Sequence, residues 1–229
     1  MKRRTFGTIL ILMGVLFLGA ALALVIKNLW EEKNAENTSL EVMESLMENF
    51  YQDMESVSGD EQDKDSNLLG PSVENTSMIL PENPSQIEIP DYILNPKMDM
   101  PEQKVDGIPY IGYLQIEALG LQLPIASKTT YPYLKKVPCR YEGSAYLDNL
   151  VIGAHNYKRH FGGIGKLSYG DVITFTDMDG NAFSYEVATI EILQPSQVDD
   201  LCSGEWPLTL YTCTIGGKTR VVVRCEKIE

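Results

Sequence analysis

Leu208-Thr209-Leu210-Tyr211-Thr212-Cys213, Thr214-Ile215-Gly216-Gly217-Lys218-Thr219 and Arg220-Val221-Val222-Val223-Arg224-Cys225 follow one another without a gap. The first and last runs are rich in β-branched and aromatic residues, and the middle run carries a Gly pair. That combination is expected to form two strands joined by a turn. Side chains 220, 222 and 224 share one face of the second strand, and 221 and 223 turn to the core. Arg224 then reads as an exposed strand charge. Working outward, the same texture recurs at Tyr110–Ile116, Leu121–Ile125, Leu150–Ala154, Val172–Asp177 and Ala182–Leu193. Asp179-Gly180-Asn181 sits between two of these runs and reads as a hairpin turn. Seven short strands with few helical patterns predict an all-β sandwich or barrel over about residues 107–229.

The chain upstream has a different character. Residues 56–106 are rich in Asp, Glu, Ser, Asn and Pro, with Pro71, Pro81, Pro84, Pro90, Pro96 and Pro101 opposing any helix, so an extended, mostly disordered spacer is expected. Before it, an amphipathic helix is expected over about 38–55. Thr38-Ser39-Leu40-Glu41 fits a capping box, and Met43, Leu46, Met47, Phe50, Tyr51 and Met54 recur at helical spacing. The expected organisation is therefore 1–29 as cytoplasmic tip and membrane anchor, 30–106 as an acidic extracellular stalk, and 107–229 as the β-rich domain.

The anchor rests on residues 5–26, an uncharged run of 22 residues. That length spans a bilayer core of roughly 30 Å as a helix; the alternative is a cleavable signal peptide with Ala21-Leu22-Ala23 as its small-residue site, for which the apolar run is longer than usual. Lys2, Arg3 and Arg4 precede the run and acidic residues follow, which predicts a single-pass protein at the cell membrane, N-terminus inside and the domain over 107–229 extracellular. Charge is partitioned accordingly: +4 over residues 1–29, −14 over 30–105 and −3 over 106–229. No basic face is evident, so nucleic acid is not expected as a partner. The four cysteines, Cys139, Cys202, Cys213 and Cys225, show no Cys-x-x-Cys or paired Cys/His spacing, so no metal site is expected.

Three strand ends carry the candidate chemistry. Cys213 ends an alternating strand, which would hold its sulfur firmly at a cleft; the alternative is a small buried hydrophobe. His155 ends the apolar run Leu150-Val151-Ile152-Gly153-Ala154. A histidine can exchange protons at neutral pH; the alternative is a ring satisfied by local hydrogen bonds. Arg220 opens the strand seven residues after Cys213, where a guanidinium could bind a developing oxyanion. The second histidine, His160, lies in the polar loop Lys158-Arg159-His160 and reads as solvated.

Together these residues resemble the sortase family. Its Thr-Leu-x-Thr-Cys strand is matched by Thr209-Leu210-Tyr211-Thr212-Cys213, the Arg that opens the next strand by Arg220, and the His after an apolar strand by His155. Ile111–Ile116 with Leu121–Ile125, Tyr141-Glu142-Gly143-Ser144-Ala145 and Gly170-Asp171 also match. The chain departs from many relatives in Ala154 before the His and in a short Cys-to-Arg connection holding Gly216-Gly217. The resemblance implies a closed β-barrel of about eight strands with short helices, following a transmembrane helix and spacer. It implies a cysteine transpeptidase acting on an LPxTG-like sorting signal, with Cys213 as nucleophile, His155 as acid–base, Arg220 as oxyanion stabiliser, and Thr212 and Asn156 in support. No cofactor is implied. The implied partners are surface or pilin proteins bearing the signal, and an acceptor amine such as a peptidoglycan precursor or a pilin lysine. By the same analogy the connection Pro195–Pro207 lines the substrate groove. A cysteine hydrolase and a non-catalytic peptide-binding barrel remain alternatives.

Overall fold

A computed structural model describes residues 2–58 and 89–228. Nine strands are present: β1 Gln103–Val105, β2 Ile108–Ile116, β3 Leu121–Ala126, β4 Cys139–Glu142, β5 Leu150–Ala154, β6 Val172–Asp177, β7 Ala182–Leu193, β8 Leu208–Cys213 and β9 Arg220–Lys227. Their order is β1-β2-β3-β4-β5-β8-β9-β7-β6, and β2 also pairs with β6, so eight strands close a barrel with β1 as an added edge hairpin. Closure leaves no long open edge among the eight. Most neighbours are antiparallel; β3–β4 and β5–β8 run parallel. Ile111, Leu114, Ile152, Phe175, Leu210 and Val223 fill the interior. Every residue of β5 is buried, as a continuous apolar run flanked by two strands and covered on both faces should be. The expected hairpin at 179–181 joins β6 to β7, with Asp177 accepting from the amides of Asp179 (3.0 Å) and Asn181 (2.8 Å) and Gly180 at φ 82°.

Among the described residues four α-helices accompany the barrel: α1 Lys2–Ser58, α2 Asp91–Leu94, α3 Tyr131–Leu134 and α4 Val198–Leu201. The expected helix at 38–55 is the distal part of α1 and has no start of its own. Thr38 lies in its interior, where its hydroxyl donates to Asn34 O (2.9 Å) instead of capping an end. The physical reason is that residues 27–37 contain neither Gly nor Pro, and extending a helix costs less than nucleating another. Between Gly7 and Gln52, α1 is long and apolar enough to cross a membrane, and the large apolar side chains of residues 9–30 are exposed.

Further along, α1 turns a buried stripe of Ala35, Ser39, Val42, Met43 and Leu46 onto the barrel. Val42 and Leu46 join Ile108, Tyr110, Ala126, Val137 and Cys139 in a second apolar cluster outside the main core. Each such aliphatic side chain contributes about 1.5–3 kcal/mol when fully buried. The amphipathic face is therefore docked on this chain's own barrel.

The spacer expectation falls mainly on residues 59–88, which lie outside the described residues. Its described end departs from the expected boundary at 107. Tyr92 of α2 stacks on Tyr146 (4.7 Å, 13°) and meets Phe183 edge-on (5.3 Å). Met100 is 3% exposed within the main core, and β1 pairs with β2. Isolated aromatic and Met residues among prolines carry no periodicity, so they read as linker although they cover the barrel. Met100→Ala is expected to lower stability by about 2–5 kcal/mol, the range for deleting a buried aliphatic side chain. A shifted urea midpoint with unchanged slope would register it.

Candidate functional site

The β8–β9 hairpin sets the first pair of groups. In its register Cys213 stands opposite Arg220, the last pair before the turn. The turn is held by Thr214 N–H donating to Thr219 O (3.0 Å), Gly217 N–H donating to Thr214 O (2.8 Å) and the two Thr hydroxyls 3.0 Å apart. Gly216 and Gly217 adopt φ of 85° and 72°, a left-handed conformation that costs glycine little. The Gly pair is thus what permits so short a connection.

Parallel pairing of β5 with β8 brings the third group. Ala154 is the partner of Thr212, and the Thr212 hydroxyl donates to Ala154 O (2.8 Å). His155, one residue on, emerges beside Cys213. A Cβ on Gly153 would lie 2.5 Å from the Tyr211 ring, so glycine there lets the phenol lie flat on β5.

Cys213, His155 and Arg220 line one groove of roughly 320 Å³. Tyr141 and Tyr211, in edge-to-face contact at 5.6 Å, lie along it, as do Leu193 and Gln194 at the end of β7 and just beyond it. The connection expected to border the groove does so through Pro195, Gln197, Val198 and Leu201.

The His155 ring is half-buried between Tyr131 (6.4 Å, 86°) and Tyr157 (5.0 Å), and neither nitrogen has a hydrogen-bond partner among the described residues. Burial, then the Lys135 ammonium, pulls its pKa below the usual histidine value, with Glu31 opposing. A neutral, unengaged imidazole is free to take a proton, and the imidazolium so formed can give it up. Arg220 ties Nη1 to the turn carbonyls of Gly217 (3.2 Å) and Thr219 (3.1 Å). Its Nε and Nη2 make no hydrogen bond among the described residues, leaving donors for the groove.

All four cysteines are free thiols. Burial pushes Cys139 and Cys225 up to about 12. Cys202 is pushed up to about 11, first by burial and then by its bond to Glu142.

Several expected roles shift. Thr212 is buried and its hydroxyl is committed to Ala154 O, so its side chain ties the two strand ends together and does not reach the groove. Asn156 is exposed on a separate hollow beyond His155, shared with Glu31, Glu32 and Lys135. His160, expected in solvent, is fully buried because α1 covers its loop: Ser39 Oγ lies 3.2 Å from its Nε2. Burial pushes its pKa down to about 4.

Arg224, expected as an exposed charge, is 3% exposed. Its guanidinium donates to Glu191 (2.7 Å), to the carbonyls of Asp200 (2.6 Å) and Leu201 (2.9 Å) at the end of α4, and to the Thr209 hydroxyl (3.1 Å). The outer face of β9 is covered after all, with Val222 packed against Val151, Leu193 and Leu201. Alternation alone does not reveal a second cover, and the signal that could have found it is the apolar Val222 between Arg220 and Arg224. Arg224 thereby fastens the α4 wall to the strands that carry Cys213 and Arg220. Arg224→Ala is expected to cost about 3 kcal/mol, because it orphans buried acceptors. Thermal melts of the variant beside wild type check it.

A family model described as Sortase domain matches residues 114–228, just over half the chain, and spans His155, Cys213 and Arg220. Among solved structures, a Clostridium perfringens sortase D5 transpeptidase is 30% identical, with 52% of this chain and 79% of that chain covered and a TM-score of 0.47. Sortase C from Clostridium perfringens SM101 is 28% identical over 63% and 78% of the two chains, with a TM-score of 0.47. Sortase C1 from Streptococcus suis is 27% identical over 52% and 73%, with a TM-score of 0.46. No curated protein matches the chain. With the family model spanning the barrel from within β2 to the end of β9, the chain belongs to the sortase family.

Proposed function

We propose that this chain is a membrane-anchored cysteine transpeptidase, with the barrel on the outer side of the cell membrane, that cleaves an LPxTG-like signal and joins the fragment ending in Thr, through its carbonyl, to an amine. The observation that carries this reading is the meeting of Cys213, Arg220 and His155 at three neighbouring strand ends on one groove.

In the first half-reaction the Cys213 thiolate attacks the Thr carbonyl carbon of the Thr–Gly bond. The free donors of Arg220 face the oxygen as it gains charge, where a fixed guanidinium lowers the barrier. The tetrahedral adduct collapses, the C–N bond breaks, and His155 gives its proton to the departing glycine nitrogen. A thioester on Cys213 remains. In the second half-reaction neutral His155 takes a proton from the incoming amine, whose nitrogen attacks the thioester carbonyl and releases the thiolate. The acceptor is a peptidoglycan precursor or a lysine of a pilin subunit.

Purified full-length protein, an LPxTG-type peptide, and either triglycine or a lysine-bearing peptide test this by mass spectrometry. The expected products are the released Gly-initiated fragment and a Thr–amine conjugate. Cleavage that yields only the free acid with every amine would make the protein a hydrolase. An intact peptide with no adduct on the enzyme would leave only peptide binding.

A further inference from the structure

We propose that the N-terminal helix is a positioning element of the active site: through Glu32, Glu36 and Ser39 it holds the loop that carries His155, so turnover depends on the docked helix. The inference rests on the acid–base role proposed for His155.

Three consecutive loop residues are gripped by one helix face. Lys158 N–H donates to Glu32 Oε1 (2.6 Å), the Arg159 guanidinium donates to Glu36 Oε1 (2.8 Å), and His160 Nε2 meets Ser39 Oγ (3.2 Å). Residues 32, 36 and 39 lie four and three apart, which places them in one row on an α-helix. The same Ser39 hydroxyl donates to Lys136 O (3.2 Å), so it joins the loop after β5 to the segment before β4. Just beyond, Val42, Met43 and Leu46 bury the stripe that keeps this row in place.

The grip reaches His155 through a short, closed turn. Phe161 N–H donates to His155 O (3.2 Å), and the amides of His160 (3.0 Å) and Gly162 (2.9 Å) donate to Tyr157 O. A Cβ on Gly162 would lie 2.6 Å from Asn156 O, so the backbone folds back on itself without slack. The rings touch in series at tilted angles: His160 is 5.5 Å from Tyr157 (46°), and Tyr157 is 5.0 Å from His155 (38°). No hydrogen bond orients the His155 ring among the described residues, so flanking rings and loop backbone must do so. A displacement on the order of 1 Å at a reacting group can cost a hundredfold in rate.

The Arg159–Glu36 pair is half-exposed, and such pairs are weak in stability terms. Its reversal is therefore a mild way to release the loop, and the double exchange restores the pair. The test uses full-length protein in detergent micelles with an LPxTG-type peptide and triglycine. In Glu36→Arg, kcat is expected to fall at least fivefold with KM for peptide within twofold, and amide exchange over residues 156–161 to accelerate. Glu36→Arg combined with Arg159→Glu should return both readings to within twofold of wild type. Ser39→Glu, which sets a carboxylate against the buried His160 contact, should act in the same direction as Glu36→Arg and more strongly. The proposal is overturned if exchange over 156–161 is unchanged in Ser39→Glu, since the helix then does not hold the loop. It is equally overturned if exchange accelerates while kcat stays within twofold, since the held loop then does not set His155. Should wild-type protein turn over no peptide, the transpeptidase reading fails together with the catalytic half of this inference. The exchange measurement then still decides whether the helix grips the loop.

Discussion

Cys213→Ala is expected to abolish both peptide cleavage and acyl-enzyme formation. The covalent route needs a sulfur at the end of β8, paired with Arg220 across the hairpin and lining the same groove as His155. No other thiol can take its place. Cys139 and Cys225 are fully buried, and Cys202 sits half-buried beside α4 next to Glu142; burial raises all three thiols and holds them protonated. The thiolate is the nucleophilic form, so these three are inert as well as misplaced. Intact-mass measurement with an LPxTG-type peptide should show wild type gaining the acyl fragment and Cys213→Ala gaining nothing. Cys213→Ser should fail as well, because a hydroxyl near neutral pH is a far weaker nucleophile. An adduct mapped to Cys202, or steady turnover by Cys213→Ala, would overturn the assignment.

The strands that carry these residues are legible in the sequence because their patterning is local. β5, β6, β7 and β8 have the residue bounds that alternation and turn signals predict, and β2, β3 and β9 extend theirs by one or two residues. Apolar periodicity reports burial against the main core, and these strands supply it. β1 and β4 were missed for the opposite reason. β1 has three residues and none buried; β4, Cys139-Arg140-Tyr141-Glu142, has one buried residue and meets β3 at a single pair. Their pairing is imposed by neighbours, and no local pattern announces it.

The candidate site divides in the same way. Cys213, His155 and Arg220 stand at strand ends, and strand ends are positioned by register, which the sequence carries. His160 and Arg224 owe their burial to segments far off in the chain: Ser39 is 121 residues from His160, and Leu201 is 23 residues from Arg224. A polar residue beside Lys158 and Arg159, or at the end of a valine run, reads as solvated until its cover is known. Both covers, α1 and the α4 connection, are short apolar stripes inside polar stretches. Local composition hides such elements, and tertiary packing decides them.

His155→Ala is expected to slow turnover of an amide substrate by about 10²–10⁴-fold, the usual weight of positioned acid–base catalysis. The reason lies in the leaving group. An amine expelled from the tetrahedral adduct must be protonated as the C–N bond breaks, and His155 is the imidazole among the groove-lining groups. Its lowered pKa favours the neutral ring, which is the form the second half-reaction needs to accept the proton of the acceptor amine. The two half-reactions thus ask opposite protonation states of one group, and the alanine variant loses both. Substrate chemistry separates this role from simple loss of packing between Tyr131 and Tyr157. An activated ester of the same peptide has a leaving group that departs without a proton. Acyl-enzyme formation from that ester by His155→Ala should therefore lie within about tenfold of wild type, because the general-acid contribution drops out. Rapid-quench measurement of acylation with the amide and the ester, on one enzyme preparation, reads both losses. An equal loss on the two substrates would mean that the ring shapes the groove without moving a proton, and the acid–base assignment of His155 would fall.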